Sequence, residues 1–322
     1  MRRGLLLAPA LLLTGCPLFS GSSENPAASA SPSASPVPSA PGSASAPGSP
    51  SASASVTGSG SGSPSASGSP SVSPAASASP SAPGCGPGMS RISKYCVDSY
   101  EAHLVVVHED GHEEPWPHTQ RPPADKRYEA RSARGMFPQG YISRNEATKA
   151  CKNAGKRLCS MDEWRRACQG KRGYLYGYGM KRKTGACSSG KDHLLSKLYG
   201  TSGKGWKYDE HFNNPELNQL PGFLDRSGEH GDCTAGEGVY DMVGNLHEWV
   251  SDTLDDALIE RIEKEDVERR KQPRREGNGL FLGGFFSTTS ELGPGCKYLT
   301  MAHEPGYHDY STGFRCCMTA AK

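Results

Sequence analysis

The sequence predicts an α+β fold of low regular content, with short strands and long ordered loops, confined to residues 85–322. Three observations predict it. Ten cysteines fall within these 238 positions, two short helices announce themselves by their caps, and the rest is rich in Gly, Asn and Pro. Gly and Pro punctuate chains into turns and short elements, which leaves little room for long helices or wide sheets.

In chain order, Met1-Arg2-Arg3 precedes an apolar run from Leu5 to Leu13 and then Thr14-Gly15-Cys16. A basic start, a short hydrophobic run and small residues before a cleavage point read as a secretory signal over residues 1–15. Leu13-Thr14-Gly15-Cys16 resembles a bacterial lipobox, which implies lipidation at Cys16. An ordinary signal peptide with an incidental Cys is the alternative. From 21 to 84, 58 of 64 residues are Ser, Ala, Pro or Gly. Such a segment cannot bury enough apolar surface to offset its ordering entropy. Residues 16–84 therefore read as a lipidated Cys and a disordered tether; about 68 flexible residues reach on the order of 45 Å. Membrane anchorage in the bacterial cell envelope follows as an expectation, periplasmic or on the surface, with the outer membrane favoured.

The remaining 85–322 segment holds 34 basic and 33 acidic residues, a net charge of +1. A protein that neutralises nucleic-acid phosphates normally shows a basic excess, so no nucleic-acid partner is expected. No stretch beyond the N-terminus approaches the roughly 18 apolar residues of a membrane span. The ten cysteines are Cys85, Cys96, Cys151, Cys159, Cys168, Cys187, Cys233, Cys296, Cys316 and Cys317. Their even number in an exported domain suggests up to five disulfides. Zinc would want paired spacings such as C-x2-C, and none occurs. Number alone leaves the connectivity open.

Ser143-Arg-Asn-Glu146 has the form of a capping box, the Ser bonding forward and the Glu back to orphan amides. Ala147, Ala150, Cys151 and Ala154 then fall on one helical face, with Gly155 as a stop. Ser160-Met-Asp-Glu163 repeats the signature, with Trp164, Ala167 and Cys168 apolar and Gly170 at the end. Each helix turns one Cys inward; a buried free thiol is the alternative to a bridge. Residues 253–276 alternate in charge around Leu254, Leu258, Ile259, Ile262 and Val267, and read as an inserted helix with a solvated face. His108 and His112 would share a helical face, but their acidic, Gly-containing surroundings read as a turn.

Gly155-Lys-Arg-Leu158, Asp162-Glu-Trp164-Arg-Arg-Ala-Cys168, Gly238-Val-Tyr-Asp-Met-Val-Gly-Asn-Leu-His-Glu-Trp249 and Gly313-Phe-Arg-Cys316 occur in that order. Together they resemble the formylglycine-generating enzyme family, or sulfatase-modifying-factor domain. The resemblance covers roughly 85–322 and implies a C-type-lectin-like fold of short strands, two main helices and long loops. It implies the disulfides Cys151–Cys316 and Cys168–Cys296; for the rest Cys187–Cys233, Cys85–Cys96 and Cys159–Cys317 are the proposed pairs. It also implies a calcium site of Asp241 and Glu248 side chains with Gly244 and Leu246 carbonyls, a donor set suited to a hard cation. A local salt bridge or cap is the other use of Glu248.

Active relatives carry two cysteines shortly after a Gly-Gly-Ser element, where they bind copper. Here Gly283-Gly284 leads through Phe285-Phe286-Ser287 to Cys296, whose spacing assigns it to the structural bridge. The redox positions fall near 286–288 and 291–293, and hydroxyls there are poor ligands for copper(I), which wants soft sulfur. Copper is therefore not expected. His247 stands where the family has Trp, and Leu282 where it has Arg. His303 and His308 are the acid/base candidates, against a plain loop role. Two readings follow. One is a lipoprotein displaying a non-oxidase binding or structural module, with a protein or glycan ligand meeting 284–295 and 301–312. Its contact aromatics would be Phe285, Phe286, Tyr307 and Tyr310, unless these are core. The alternative is a formylglycine-generating-type enzyme oxidising a protein cysteine or a small molecule.

Overall fold

A computed structural model of the chain describes residues 82–200, 205–289 and 292–321. The stretches read from the sequence as signal peptide and tether, including Cys16, lie outside the described residues up to residue 81. No helix among the described residues is long and apolar enough to cross a membrane.

Strands β1 (Met89–Ile92) and β2 (Tyr95–Asp98) form an antiparallel hairpin running from Met89↔Asp98 to Ile92↔Tyr95. Next come β3 (Ala102–Val107), β4 (Glu113–Pro115) and β5 (Tyr128–Ser132), a small antiparallel sheet with β3 at its centre. His108 and His112 sit in its β3–β4 turn, where the His108 amide donates to the His112 carbonyl. Helix α1 (Arg144–Asn153) and helix α2 (Met161–Gln169) flank the two-residue strand β6 (Arg157–Leu158). Both helices carry a complete capping box, Ser143 with Glu146 and Ser160 with Glu163. Each thereby satisfies two orphan amides reciprocally.

A short helix α3 (Leu194–Tyr199) is capped by the His193 imidazole, which accepts from the Ser196 amide. Strand β7 (His247–Thr253), helix α4 (Asp256–Glu265), a 3-10 segment Val267–Lys271 and strand β8 (Gly279–Leu282) follow. Strands β9 (Leu299–Thr300), β10 (Thr312–Phe314) and β11 (Cys316–Thr319) complete the chain. The first sheet has order β1-β2-β11-β6; the second has order β10-β7-β8-β9, with β10 parallel to β7.

The α+β class with short strands and long loops is what the structure has, though with three helices of nine or ten residues rather than two. The third, α4, lies within the charged stretch 253–276 and starts at Asp256, because Thr253 still belongs to β7. It is also less solvated than its charge pattern suggests. Ile262 and Leu254 are buried in the largest apolar cluster, with Leu258 and Ile259 packed against it. Strand β7 divides two clusters by its alternation: Val250 faces that one, while Trp249 joins Phe281, Phe314, Ala147 and Ala150 in the other. A third cluster gathers Leu194, Leu195, Leu217, Phe286 and Tyr310.

Five disulfides staple these layers: Cys85–Cys96, Cys151–Cys316, Cys159–Cys317, Cys168–Cys296 and Cys187–Cys233. They are the five pairs set out for the sequence.

Candidate functional site

The motifs that carry the resemblance meet at one buried point. From the first, Lys156 Nζ reaches Asp98 Oδ1 at 2.7 Å, and Asp98 Oδ2 accepts from the Cys316 amide at 2.9 Å. From the second, Trp164 Nε1 donates to Glu248 Oε2 at 2.6 Å. From the last, Arg315 donates through Nε to Glu248 Oε2 and through Nη2 to Glu248 Oε1, each at 2.6 Å. The same guanidinium donates to the Asp98 carbonyl at 3.0 Å and the Tyr240 carbonyl at 2.9 Å. Glu101 completes the junction, its two oxygens accepting from the Leu246 amide at 3.1 Å and Asn245 Nδ2 at 2.6 Å.

The loop entering β7 is shaped for this meeting. Asp241 and Asn245 both have φ of 58°, a left-handed conformation that short polar side chains tolerate better than most. At Gly244, a Cβ would lie 1.9 Å from the Ser188 carbonyl oxygen, so only glycine lets the two backbones approach. Burial pushes the Glu101 carboxyl well above its ordinary pKa, with Asp241 and Glu248 adding to the effect. Burial also raises Asp241 to about 6 against the pull of the Gly228 amide bonded to it. For Arg315 burial opposes the charge, but the Glu248 ion pair outweighs it and its pKa is raised.

This geometry bears on the expected calcium ligands. Asp241, Gly244, Leu246 and Glu248 do lie along one loop and strand start. Yet both Glu248 oxygens are engaged, by three N–H donors of Arg315 and Trp164, and Asp241 Oδ2 accepts from Gly228. Calcium takes six to eight oxygens. The arrangement does not fit that demand, because a guanidinium already sits where the cation would neutralise Glu248.

The second candidate region contains 284–295 and 301–312. Cys296 is bonded to Cys168, and every cysteine among the described residues is in a disulfide. Phe286 and Thr288 are buried, Thr288 Oγ1 accepting from the Phe285 amide at 3.0 Å. Ser290 and Glu291 lie outside the described residues. Of the four aromatics written as contacts, Phe286 and Tyr310 are core instead, 0% and 2% exposed, because they pack with Leu194, Leu195 and Leu217. Phe285 and Tyr307 are half-buried.

Around Phe285 and Tyr307 the rings are continuous. His193 stacks on Trp206 at 5.3 Å and meets Phe285 edge-on at 6.3 Å. A column of five rings then runs Tyr307–His303–Phe281–His247–Tyr298, with successive centroids 3.8, 5.4, 4.6 and 5.3 Å apart. Burial pushes His303 down to about 4. Burial, then the nearby His303, push His247 to about 3. Both imidazoles are neutral at physiological pH, and His247 Nδ1 is buried with no hydrogen-bond partner. His308 is separate from His303: its carbonyl accepts from the Tyr208 hydroxyl at 2.6 Å, while His303 stacks on Tyr307. Tyr307 in turn donates to the buried Asp309 at 2.5 Å. The two candidate histidines thus do not form one acid/base pair.

Sequence reasoning missed Asp98 and Glu101. A carboxylate is usually exposed, and their one signal is position, between the apolar runs of β2 and β3. It also missed Trp206 and His193, which lie in stretches without helical or strand periodicity.

Among solved structures, the Major Tropism Determinant I1 variant is 12% identical, with a TM-score of 0.39 over 72% of this chain and 52% of that chain. The P3c variant is 15% identical, with a TM-score of 0.38 over the same shares. CarF is 14% identical, with a TM-score of 0.35 over 70% of this chain and 87% of that one. The chain spans about half the length of the tropism determinants it matches. No curated protein matches it. The model of the sulfatase-modifying factor enzyme 1-like domain matches residues 90–320, which contain all four motifs and the buried junction they build; the chain belongs to that family.

Proposed function

We propose that this protein is a cell-envelope lipoprotein displaying its sulfatase-modifying-factor-like domain as a binding module, without thiol-dependent oxidase activity. The observation that carries the reading lies in the Gly283–Cys296 stretch. Its one sulfur is tied to Cys168, so no thiolate is there to bind copper(I) or exchange with a substrate thiol. The lipobox-like start and the Ser/Ala/Pro/Gly tether support anchorage to a membrane, in the periplasm or at the outer-membrane surface. The ring-rich face supports recognition. Half-buried Trp206, Phe285 and Tyr307 present flat apolar surface, and His193, Tyr208 and His308 add polar edges. Rigid amphipathic rings give contact area at low entropic cost, which suits a glycan.

The test uses the purified, oxidised chain. Copper(I) titration should show no stoichiometric uptake, and a cysteine-containing peptide should not be oxidised. Binding to a glycan array should weaken in Trp206→Ala and Phe285→Ala. Stoichiometric copper(I) binding or turnover of the peptide thiol would overturn the reading in favour of an oxidase.

A further inference from the structure

The charged insertion does more than cover the core. Helix α4 and the 3-10 segment behind it stand off from α2, and between them lies a cavity of about 430 Å³ with Ile262 in its wall. That volume falls in the range of small-molecule sites. Its polar lining consists of the carboxylates Asp162, Glu265 and Asp266, the cations Arg165, Arg166, Arg269 and Lys297, and the Gln169 amide.

Each carboxylate already has a guanidinium. Asp162 accepts two bonds from Arg261, at 2.8 and 3.2 Å. Glu265 accepts from Arg165 Nη1 at 2.7 Å, and Asp266 pairs with Arg269 Nε at 3.1 Å. Arg166 is turned to Glu237, which does not line the cavity, at 3.0 Å. Arg269 spends its other nitrogens on the Leu299 and Lys297 carbonyls, each at 2.9 Å. One charged group remains. Lys297 is exposed and its ammonium pairs with no carboxylate among the described residues, while Arg165 Nε lacks a hydrogen-bond partner but is buried. A cation entering here would have to displace an arginine from its carboxylate; an anion would find the Lys297 ammonium waiting.

We propose that the cavity between α2 and α4 binds a small anion bearing a carboxylate or phosphate group, with Lys297 as its principal charged contact and Arg165 behind it. The site is separate from the ring-rich face and does not depend on that reading.

Calorimetric titration of the full chain with inorganic phosphate and with citrate, at constant ionic strength, tests it. Saturable one-to-one binding of at least one anion is expected. Lys297→Gln should weaken it about tenfold, the loss of one charge-assisted contact, while Lys297→Arg should retain it. Because Lys297 pairs with no carboxylate, these variants should melt as the wild type does without anion; Arg165 also holds Glu265, so its removal would disturb the docking of α4. No saturable binding of either anion, or binding indifferent to Lys297→Gln, would overturn the proposal. So would saturable calcium binding abolished by Asp162→Asn.

Discussion

Arg315 and Glu248 face each other in a two-bond ion pair, each contact 2.6 Å, with side chains 0% and 1% exposed. Removing one partner strands the other charge out of water. Glu248→Gln is therefore expected to destabilise the domain by about 3–5 kcal/mol. Arg315→Lys, which keeps the charge but not the planar fork, should also destabilise it, though less. Urea unfolding of both variants at constant slope checks the order.

The same ion pair makes a prediction about calcium. If Arg315 supplies the positive charge that Glu248 needs, adding EGTA should leave the thermal midpoint unchanged. A midpoint that falls with chelator and recovers with calcium would mean that the ion binds despite the arginine.

His103 lies in β3 opposite Arg131. Burial first, then Arg131 and Lys156, lower its pKa to about 4. An unfolded chain takes up a proton near the ordinary value of about 6.5, which the folded one refuses until about 4. Stability from this group is thus complete above the higher value and is lost as pH falls through that window. His103→Gln should reduce the loss between about pH 7 and pH 4.5 by about 2 kcal/mol, read from urea unfolding at the two pH values.

Ile262 is the fully buried residue of helix α4, with Leu258 and Ile259 half-buried beside it. Ile262→Ala should destabilise the fold by about 2–4 kcal/mol. If the insertion were only decoration, the change would be near zero. Limited proteolysis within residues 256–276 should accelerate in parallel.

Helices α1 and α2 were legible because their signals are local, a cap at one end and a glycine at the other. Helix α3 was not, since its cap is an imidazole rather than a Ser or Asp. The strands are two to seven residues long, and outside the β1–β2 and β3–β4 hairpins their partners lie far along the chain. Cys316 pairs with Leu158 and Thr319 with Tyr95, so no hydrophobic period could announce the sheet. At the candidate site, the motif residues Trp164, Glu248 and Arg315 could be picked out, but their mutual contact could not. It is that contact which changes the meaning of Glu248 from a metal ligand to half of an ion pair. Phe286 and Tyr310 illustrate the complementary difficulty: an aromatic in a loop carries no sign of which side it faces.

The adjacent Cys316 and Cys317 occupy opposite faces of β11, one reaching Cys151 of α1 and the other Cys159 just after β6. Chain order sets how soon each native partner becomes available. Cys85 can close on Cys96 as soon as eleven further residues exist, and Cys187 on Cys233 after 46. Cys151, Cys159 and Cys168 have no native partner until 128–165 more residues have been made. In a chain that enters an oxidising compartment N-terminus first, these three thiols wait for the last strands, and any wrong pairs made meanwhile must be undone by thiol–disulfide exchange.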